Sequence, residues 1–572
     1  MSLQIPREDL LSILFQLWQK NPTKSLIRDV SGTGYEASVE QFLYDILTTR
    51  ERILTFLDTD IKDQLNSPDT DIFVGVLVGP GYAFAVIALA LYSIGAVVVP
   101  LSLGVHPSEA KYFLQLCHTT LLLTVPTSDS HAQSISTITN IPTLTITTTQ
   151  SPRPPNVTFT LQAPSAPKLN PEKGFVLLYT SGTTGPPKGV LHSRRAAEIG
   201  LTTNIKTLGL TTADTWLHYS PVHWVGGWVS MFHSLLSGAC LEFCASVFSP
   251  EWLLSQWEKK AGSNESPTAM YLVPSVLEAV GDKVEAVRQD GPPERFERIL
   301  EGLEAMRVIY SGSMRVTSPL RDYWRELRGG RPLMIMYGMS EVIGFVASND
   351  WDDWGEMPPE CCGRVRENVE VRVDGEGELC IRGPSVFTRY ISEDPSIMDG
   401  VFDEDGYWNS GDVGKVEGGL VYVFGRASHD VIRFAGWKLM APEVESELAE
   451  HPLVSQAIVV GVQDSSVGER VAALVVVSGD SAESELNLST LRKWLAIKRH
   501  MNAYKLPTVL RVVRKGLELP MTASGKIIKP KVREIFFNRG ELDSSRVQTH
   551  DLSVRESDIG NRPFDWAGIQ AS

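Results

Sequence analysis

At the start of the chain apolar residues recur three and four positions apart. Leu10, Leu11, Leu14, Phe15 and Trp18 fall on one side, which predicts a short amphipathic helix. A denser apolar run covers 83–103 and has the length of a membrane span. Ser93, Gly95 and Pro100 interrupt it, however, and its texture changes from Ala/Leu-rich to Val-Val-Val. A buried helix over roughly 83–92, turning at Gly95 into a buried strand over 96–101, accounts for that change, so no membrane span is expected.

Residues 127–174 are rich in Ser, Thr and Pro and predict loops and short strands. From Phe175-Val176-Leu177-Leu178-Tyr179 onward, buried strands alternate with helical stretches to about 350, the pattern of layered α/β structure. Residues 368–425 switch to short alternating strands (369–373 and 378–382) separated by Gly and Asp turns. After 430 a compact α+β text follows, with helices over 442–450 and 487–501 and strands at 455–462 and 470–477. Beyond 539 the chain is polar and irregular. The fold class is therefore α/β: a large N-terminal domain of α/β layers with a β-rich portion, and a small α+β C-terminal domain beginning near 427.

At 572 residues the chain is too long for a single compact core, which agrees with that division. The formal charge of −15 disfavours a nucleic-acid partner, whose phosphates it would repel. Six cysteines at this length form no disulfide framework, and Cys361-Cys362 lacks a CxxC partner for zinc. The expected setting is reduced and intracellular, that is, cytoplasmic. The N-terminus lacks the basic start and cleavage site of a signal peptide, and the final Ile-Gln-Ala-Ser is not a peroxisomal tripeptide.

The strongest chemical signal follows the strand at 175–179. Thr180, Ser181, Gly182, Thr183, Thr184, Gly185, Pro186, Pro187, Lys188 and Gly189 combine three glycines with four hydroxyl residues. Backbone N–H groups and hydroxyls in such a loop converge on phosphate oxygens, and Lys188 adds a mobile cation. The spacing is not GxxxxGK[ST], so a P-loop NTPase is not implied.

This loop resembles the signature of the adenylate-forming (AMP-binding) superfamily, which includes acyl-CoA synthetases, and further segments resemble its other motifs in order. Tyr337, Gly338, Met339, Ser340 and Glu341 are similar to its Tyr-Gly-x-Thr-Glu. The resemblance implies an aromatic face for adenine from Tyr337, a hydroxyl near the α-phosphate from Ser340 and a Mg²⁺ carboxylate from Glu341. Tyr310-Ser311-Gly312-Ser313-Met314 is similar to the adenine-side segment, with Ser313 as its contact. Residues 377–384 resemble a structural strand. Tyr407-Trp408-Asn409-Ser410-Gly411-Asp412 resembles the segment whose Asp binds the ribose diol, and Arg426 its second ribose or phosphate contact. Leu519-Pro520-Met521-Thr522-Ala523-Ser524-Gly525-Lys526 resembles the motif with the catalytic lysine.

The resemblance places the large domain at 1–426, a hinge at 427–429 (Ser428 or His429), a mobile small domain at 430–538 and a polar tail at 539–572. The spacing from Arg426 to Gly436 is one residue longer than usual, and Lys438 stands where the family usually has Arg. The Gly436 segment would meet the pantetheine arm of CoA, where a side chain would block the passage.

The implied activity is that of an acyl-CoA synthetase using ATP, Mg²⁺ and CoA on a small-molecule carboxylic acid. The alternative is a free-standing acyl-AMP ligase that loads a separate carrier protein. His223 and Trp224 fall in the segment that resembles the acyl-pocket lining, and neither offers the acidic group that a free amino acid would need. Gly338 stands where acetyl-specific relatives carry a plugging Trp. The pocket is therefore expected to extend past two carbons, toward a medium-chain fatty acid or an aromatic acid.

Overall fold

The structure is a computed structural model. It describes residues 2–29, 35–147, 157–180, 187–243, 248–260, 266–353, 355–358, 360–477, 486–522 and 525–552. The chain forms two compact units: Met1–Val371 with Ile381–Trp408, and Arg372–Cys380 with Asn409–Ser572.

Two sheets organise the first unit. One is seven-stranded and runs in the order Arg389–Ile391, Lys188–Ser193, Gly174–Thr180, Ala96–Pro100, Ile72–Leu77, Leu121–Thr124, Thr143–Thr145. The strands from Gly174–Thr180 to Thr143–Thr145 run parallel, and the inner ones among them are nearly continuous in apolar residues, as strands covered on both faces must be. Lys188–Ser193 is antiparallel to both of its neighbours. The other sheet carries the parallel series Ser25–Asp29, Cys240–Phe243, Thr215–His218, Ala269–Tyr271, Val308–Ser311, Met334–Tyr337, which antiparallel strands Ala347–Ser348 and Cys361–Val365 extend.

The apolar run at 83–103 is resolved as expected. Helix Tyr82–Ile94 ends at Gly95 in the left-handed conformation, which a residue with a Cβ adopts only at a cost. The buried strand Ala96–Pro100 follows. Thirteen helical residues span only ~20 Å, and among the described residues no helix is long and apolar enough to cross a membrane. The N-terminal helix Asp9–Lys20 buries Leu10, Leu11 and Leu14, while Phe15 stacks on Trp18.

The Ser/Thr-rich region holds an element that its pattern does not announce, the helix Asp129–Thr139. Two buried side chains one turn apart, Ala132 and Ile135, anchor it. The hydroxyls of Ser134, Thr137 and Thr139 donate to carbonyls four residues back, so residues that favour loops are satisfied inside the helix.

In the second unit residues 412–417 pair with Leu420–Arg426, bringing Asp412 opposite Arg426. The C-terminal sheet contains Trp437–Met440, Val431–Phe434, Gly468–Val477, Val509–Arg514 and Val547–Thr549, with Val454–Asp464 also paired to Gly468–Val477. Helices Ala441–Ala449 and Leu488–Lys498 fall where the periodicity places them. Part of the stretch read as a polar tail is instead an element of this sheet. Val547–Thr549 pairs with Val509–Arg511, and one buried residue, Val547, is too little apolar pattern to betray it.

Candidate functional site

Strand register fixes the ends of the phosphate loop. Thr180 and Lys188 are direct cross-strand partners, and the Thr180 hydroxyl donates to the Lys188 carbonyl at 3.3 Å. The Tyr112 hydroxyl donates to the Pro187 carbonyl. Ser181, Gly182, Thr183, Thr184, Gly185 and Pro186 lie outside the described residues.

The Tyr337–Glu341 segment leaves the carboxyl end of strand Met334–Tyr337, at the edge of the parallel series, where α/β sheets bind ligands. Tyr337 is 8% exposed. The backbone beyond it is fastened by other elements. His192 Nε2–H donates to the Ser340 carbonyl at 2.7 Å, and the Phe387 N–H donates to the Glu341 carbonyl at 2.8 Å. Burial pulls the fully enclosed His192 down to about 4, outweighing the Ser340 carbonyl, so the ring is neutral at pH 7.

The Glu341 side chain accepts a hydrogen bond from the Tyr390 hydroxyl at 2.9 Å on Oε1. On the same ring, Lys188 Nζ stands 3.5 Å from the centroid. The structure thus joins two of the expected ATP residues, Lys188 and Glu341, through Tyr390, which is not among them. Tyr390 and His192 carry no local signal: one follows a strand with an evident packing role, the other ends a buried strand.

Around the expected acyl pocket, Trp224 caps helix Val225–Ser237, and its ring meets that of His223 edge-on at 5.3 Å. Burial lowers His223 to about 4, so it too is neutral at pH 7. A Cβ on Gly226 would lie 2.9 Å from the Tyr271 ring. Met336 occupies the space beside two small residues: its Sδ is 2.2 Å from a Cβ built on Gly312, and its Cε is 3.1 Å from one on Gly338. Ser313 adopts φ +74°, and its side chain hydrogen-bonds with Tyr271. Met339 lies partly buried in the same turn as Ser340.

In the second unit Asp412 is almost fully buried and forms an ion pair with Arg426, 2.8 Å from Oδ1 to Nε. Arg426 also donates to the Ser410 carbonyl at 2.7 Å, and the Ser410 hydroxyl donates to the Leu379 carbonyl. The carboxylate is thereby held in one orientation. Ser428 and His429 touch through Oγ and Nδ1 at 2.9 Å. Gly436 has φ +85° and no atom within 4 Å of a built Cβ, so it lies in open space. Lys438 pairs with Glu376 at 2.8 Å. Lys526 is exposed at the end of a tight turn: its N–H donates to the Thr522 hydroxyl, the Thr522 N–H donates to its carbonyl, and Gly525 has φ +78°.

Comparison with known proteins bears on the family and the fold. Residues 67–391, more than half of the chain, match the family described as AMP-binding enzyme, and residues 443–526 match the AMP-binding enzyme C-terminal domain. A probable CoA ligase of Humulus lupulus, CCL8, is 29% identical over 494 residues, covering 81% of this chain and 79% of that protein. A malonate–CoA ligase of Arabidopsis thaliana is 27% identical over 508 residues, 82% of this chain and 78% of its own length. ATP-bound MatB from Rhodopseudomonas palustris superposes with a TM-score of 0.72 at 21% identity, over 92% of this chain and 98% of that one. The o-succinylbenzoate CoA synthetase MenE of Bacillus subtilis, in complex with AMP, gives 0.69 at 20% identity over 91% and 98%. At these identities the likeness to the solved structures establishes the fold alone. The family matches go further: the chain belongs to the AMP-binding enzymes, the adenylate-forming family of acyl-CoA synthetase type.

Proposed function

We propose that this enzyme activates a carboxylic acid with ATP to an acyl-adenylate and pyrophosphate, then transfers the acyl group to the thiol of CoA. The observation that carries the reading is the meeting at Tyr390 of Lys188, over its ring, and Glu341, at its hydroxyl, beside the strand that leads out of the phosphate loop.

A carboxylate is a poor acylating agent because its leaving group would be oxide. Its attack on the α-phosphorus of ATP turns that oxygen into part of AMP, a good leaving group, while pyrophosphate departs. The nucleophile is already ionised at neutral pH, so no general base is needed. The difficulty is the approach of two anions, which calls for fixed positive charge at the reacting atoms. Lys526 serves the carboxylate and α-phosphate, Lys188 the outer phosphates, and the Asp412–Arg426 pair the ribose.

Glu341 suits Mg²⁺, since its carboxylate is a hard oxygen donor already oriented by Tyr390. The described residues hold no cluster of three metal-ligating side chains, so one carboxylate with the phosphates of ATP would complete the coordination. When bound, the ion neutralises phosphate charge. For the second step, the small domain is proposed to turn about Ser428 or His429. The open space at Gly436 then admits the pantetheine arm, and the thiol attacks the acyl carbon as AMP leaves.

For the acid we favour a medium-chain or aromatic compound. Trp224, Tyr271 and Met336 offer apolar surface, and the flexible Met336 beside Gly338 can yield to a longer group. The malonate–CoA ligases among the relatives favour a second reading, a short dicarboxylic acid. Neutral His223 offers no cation for a second carboxylate. Cys117, Cys240, Cys361, Cys362 and Cys380 are in no disulfide, which suits a reducing cytoplasmic setting.

The test is AMP release from ATP with an octanoate, benzoate and malonate panel, with and without CoA. CoA-dependent AMP release with octanoate or benzoate supports the reading. Turnover with malonate alone transfers it to the dicarboxylate. Adenylate formed but never passed to CoA points to a separate carrier protein.

A further inference from the structure

Tyr390 belongs to no segment with an expected ATP contact, yet two such residues converge on it. It sits on the edge strand Arg389–Ile391 of the seven-stranded sheet, directly opposite Val190. Lys188 is two residues from Val190 and so shares the face of the sheet on which Tyr390 projects. A long side chain can span that diagonal, and Lys188 does so, its ammonium over the ring face.

The ring itself is held firmly. It is 7% exposed and packs on Phe387 with centroids 4.4 Å apart. Phe387 in turn donates its N–H to the Glu341 carbonyl, and Val342 bridges Val386. The segment that carries Tyr390 therefore also carries the backbone of Glu341. The phenol hydroxyl on Oε1 fixes the carboxylate itself, and a hydrogen bond to an ionised group is among the stronger ones.

We propose that Tyr390 is a positioning residue of the nucleotide site. Its hydroxyl aims the Glu341 carboxylate at the metal that accompanies ATP, and its ring face is the platform from which Lys188 reaches the outer phosphates. The proposal rests on the ATP reading above. It adds that the strand following the structural segment 377–384 sets the direction of both charges. AMP lacks the outer phosphates and needs neither charge, so its binding is independent of Tyr390.

The experiment measures binding without any acid present, by calorimetry on the full-length protein, for ATP with Mg²⁺ and for AMP without metal. Tyr390→Phe keeps the ring and removes only the donor. It is expected to weaken Mg²⁺-dependent ATP binding about tenfold, leave AMP binding unchanged, and keep Tm within about 2 °C. Tyr390→Leu also removes the platform and weakens ATP binding further, again sparing AMP. Glu341→Gln serves as the reference for a lost metal carboxylate.

Unchanged ATP binding in Tyr390→Phe, with Glu341→Gln impaired, overturns the role of Tyr390 alone. Equal loss of ATP and AMP binding together with a lowered Tm overturns it in favour of plain packing. Wild-type protein that gains no ATP affinity from Mg²⁺ defeats the nucleotide-site reading itself, and the inference with it.

Discussion

Glu341 and Lys526 are both charged residues in turns that follow a tyrosine- or proline-led motif, yet they are secured in opposite ways. The Glu341 turn is gripped from outside: by the His192 ring at Ser340, the Phe387 N–H at the Glu341 carbonyl, and the Tyr390 hydroxyl at the carboxylate. In the Lys526 turn the Lys526 N–H donates to the Thr522 hydroxyl and the Thr522 N–H to the Lys526 carbonyl, and Lys526 is exposed. Under the proposed chemistry, that contrast matches two duties. A metal carboxylate is needed in one fixed place, whereas the lysine is needed for the first step and out of the way for the second.

The sharpest way to break the comparison is Lys526→Ala. Adenylate formation should slow by roughly 10²- to 10³-fold, the scale of losing one donor to a developing charge. Thioester formation from preformed acyl-adenylate should stay near wild type. Single-turnover assays of the two half-reactions separate these, and equal loss in both would show that Lys526 is no less fixed in its duty than Glu341.

Acid tests the fastened side. Burial lowers His192, His218 and His223 to about 4 and His233 to about 3, against an ordinary value of 6.5. Each is neutral when folded and takes up a proton on unfolding below that ordinary value. The unfolded chain therefore binds more protons, and stability falls as pH drops from 6.5 toward 4. Each of the four is expected to contribute up to about 2–3 kcal/mol of that loss over the window, read from denaturant melts at stepped pH. A flat profile would contradict the neutral, buried assignment.

His192→Phe keeps the ring volume and removes the donor to Ser340. The unpaired carbonyl should cost about 1–2 kcal/mol of stability, and the KM for ATP should rise about tenfold. Should KM stay unchanged, the Glu341 turn does not depend on that support. The smallest effect is expected at Gly525→Ala, where φ +78° strains any residue with a Cβ by about 1 kcal/mol. Adenylate formation should fall a few-fold with thioester formation spared. Loss confined to the second half-reaction would reverse the assignment of the turn.

What the chain discloses before folding follows how local each signal is. The helix and strand on either side of Gly95 are legible because apolar texture and a glycine stop coincide within twenty residues. The helix Asp129–Thr139 is not, since its serines and threonines favour loops until their hydroxyls find carbonyls one turn back. Strand Val547–Thr549 is three residues long with one buried side chain, too short to show alternation. The same distinction governs the site. Lys188, Glu341 and Asp412 stand in motifs dense with small and hydroxyl residues, whereas Tyr390 and His192 matter only through strand register and a distant turn. Local pattern marks the groups that would touch the nucleotide, while their supports emerge from tertiary structure.

The central claim is that an acid oxygen attacks the α-phosphorus of ATP, and an isotope follows that oxygen directly. Carboxyl-labelled ¹⁸O-acid is turned over with ATP and CoA, and the products are read by mass spectrometry. One ¹⁸O in AMP, with none in pyrophosphate, is the predicted result. Label in inorganic phosphate with ADP as the nucleotide product, or AMP formed without label, would contradict the account.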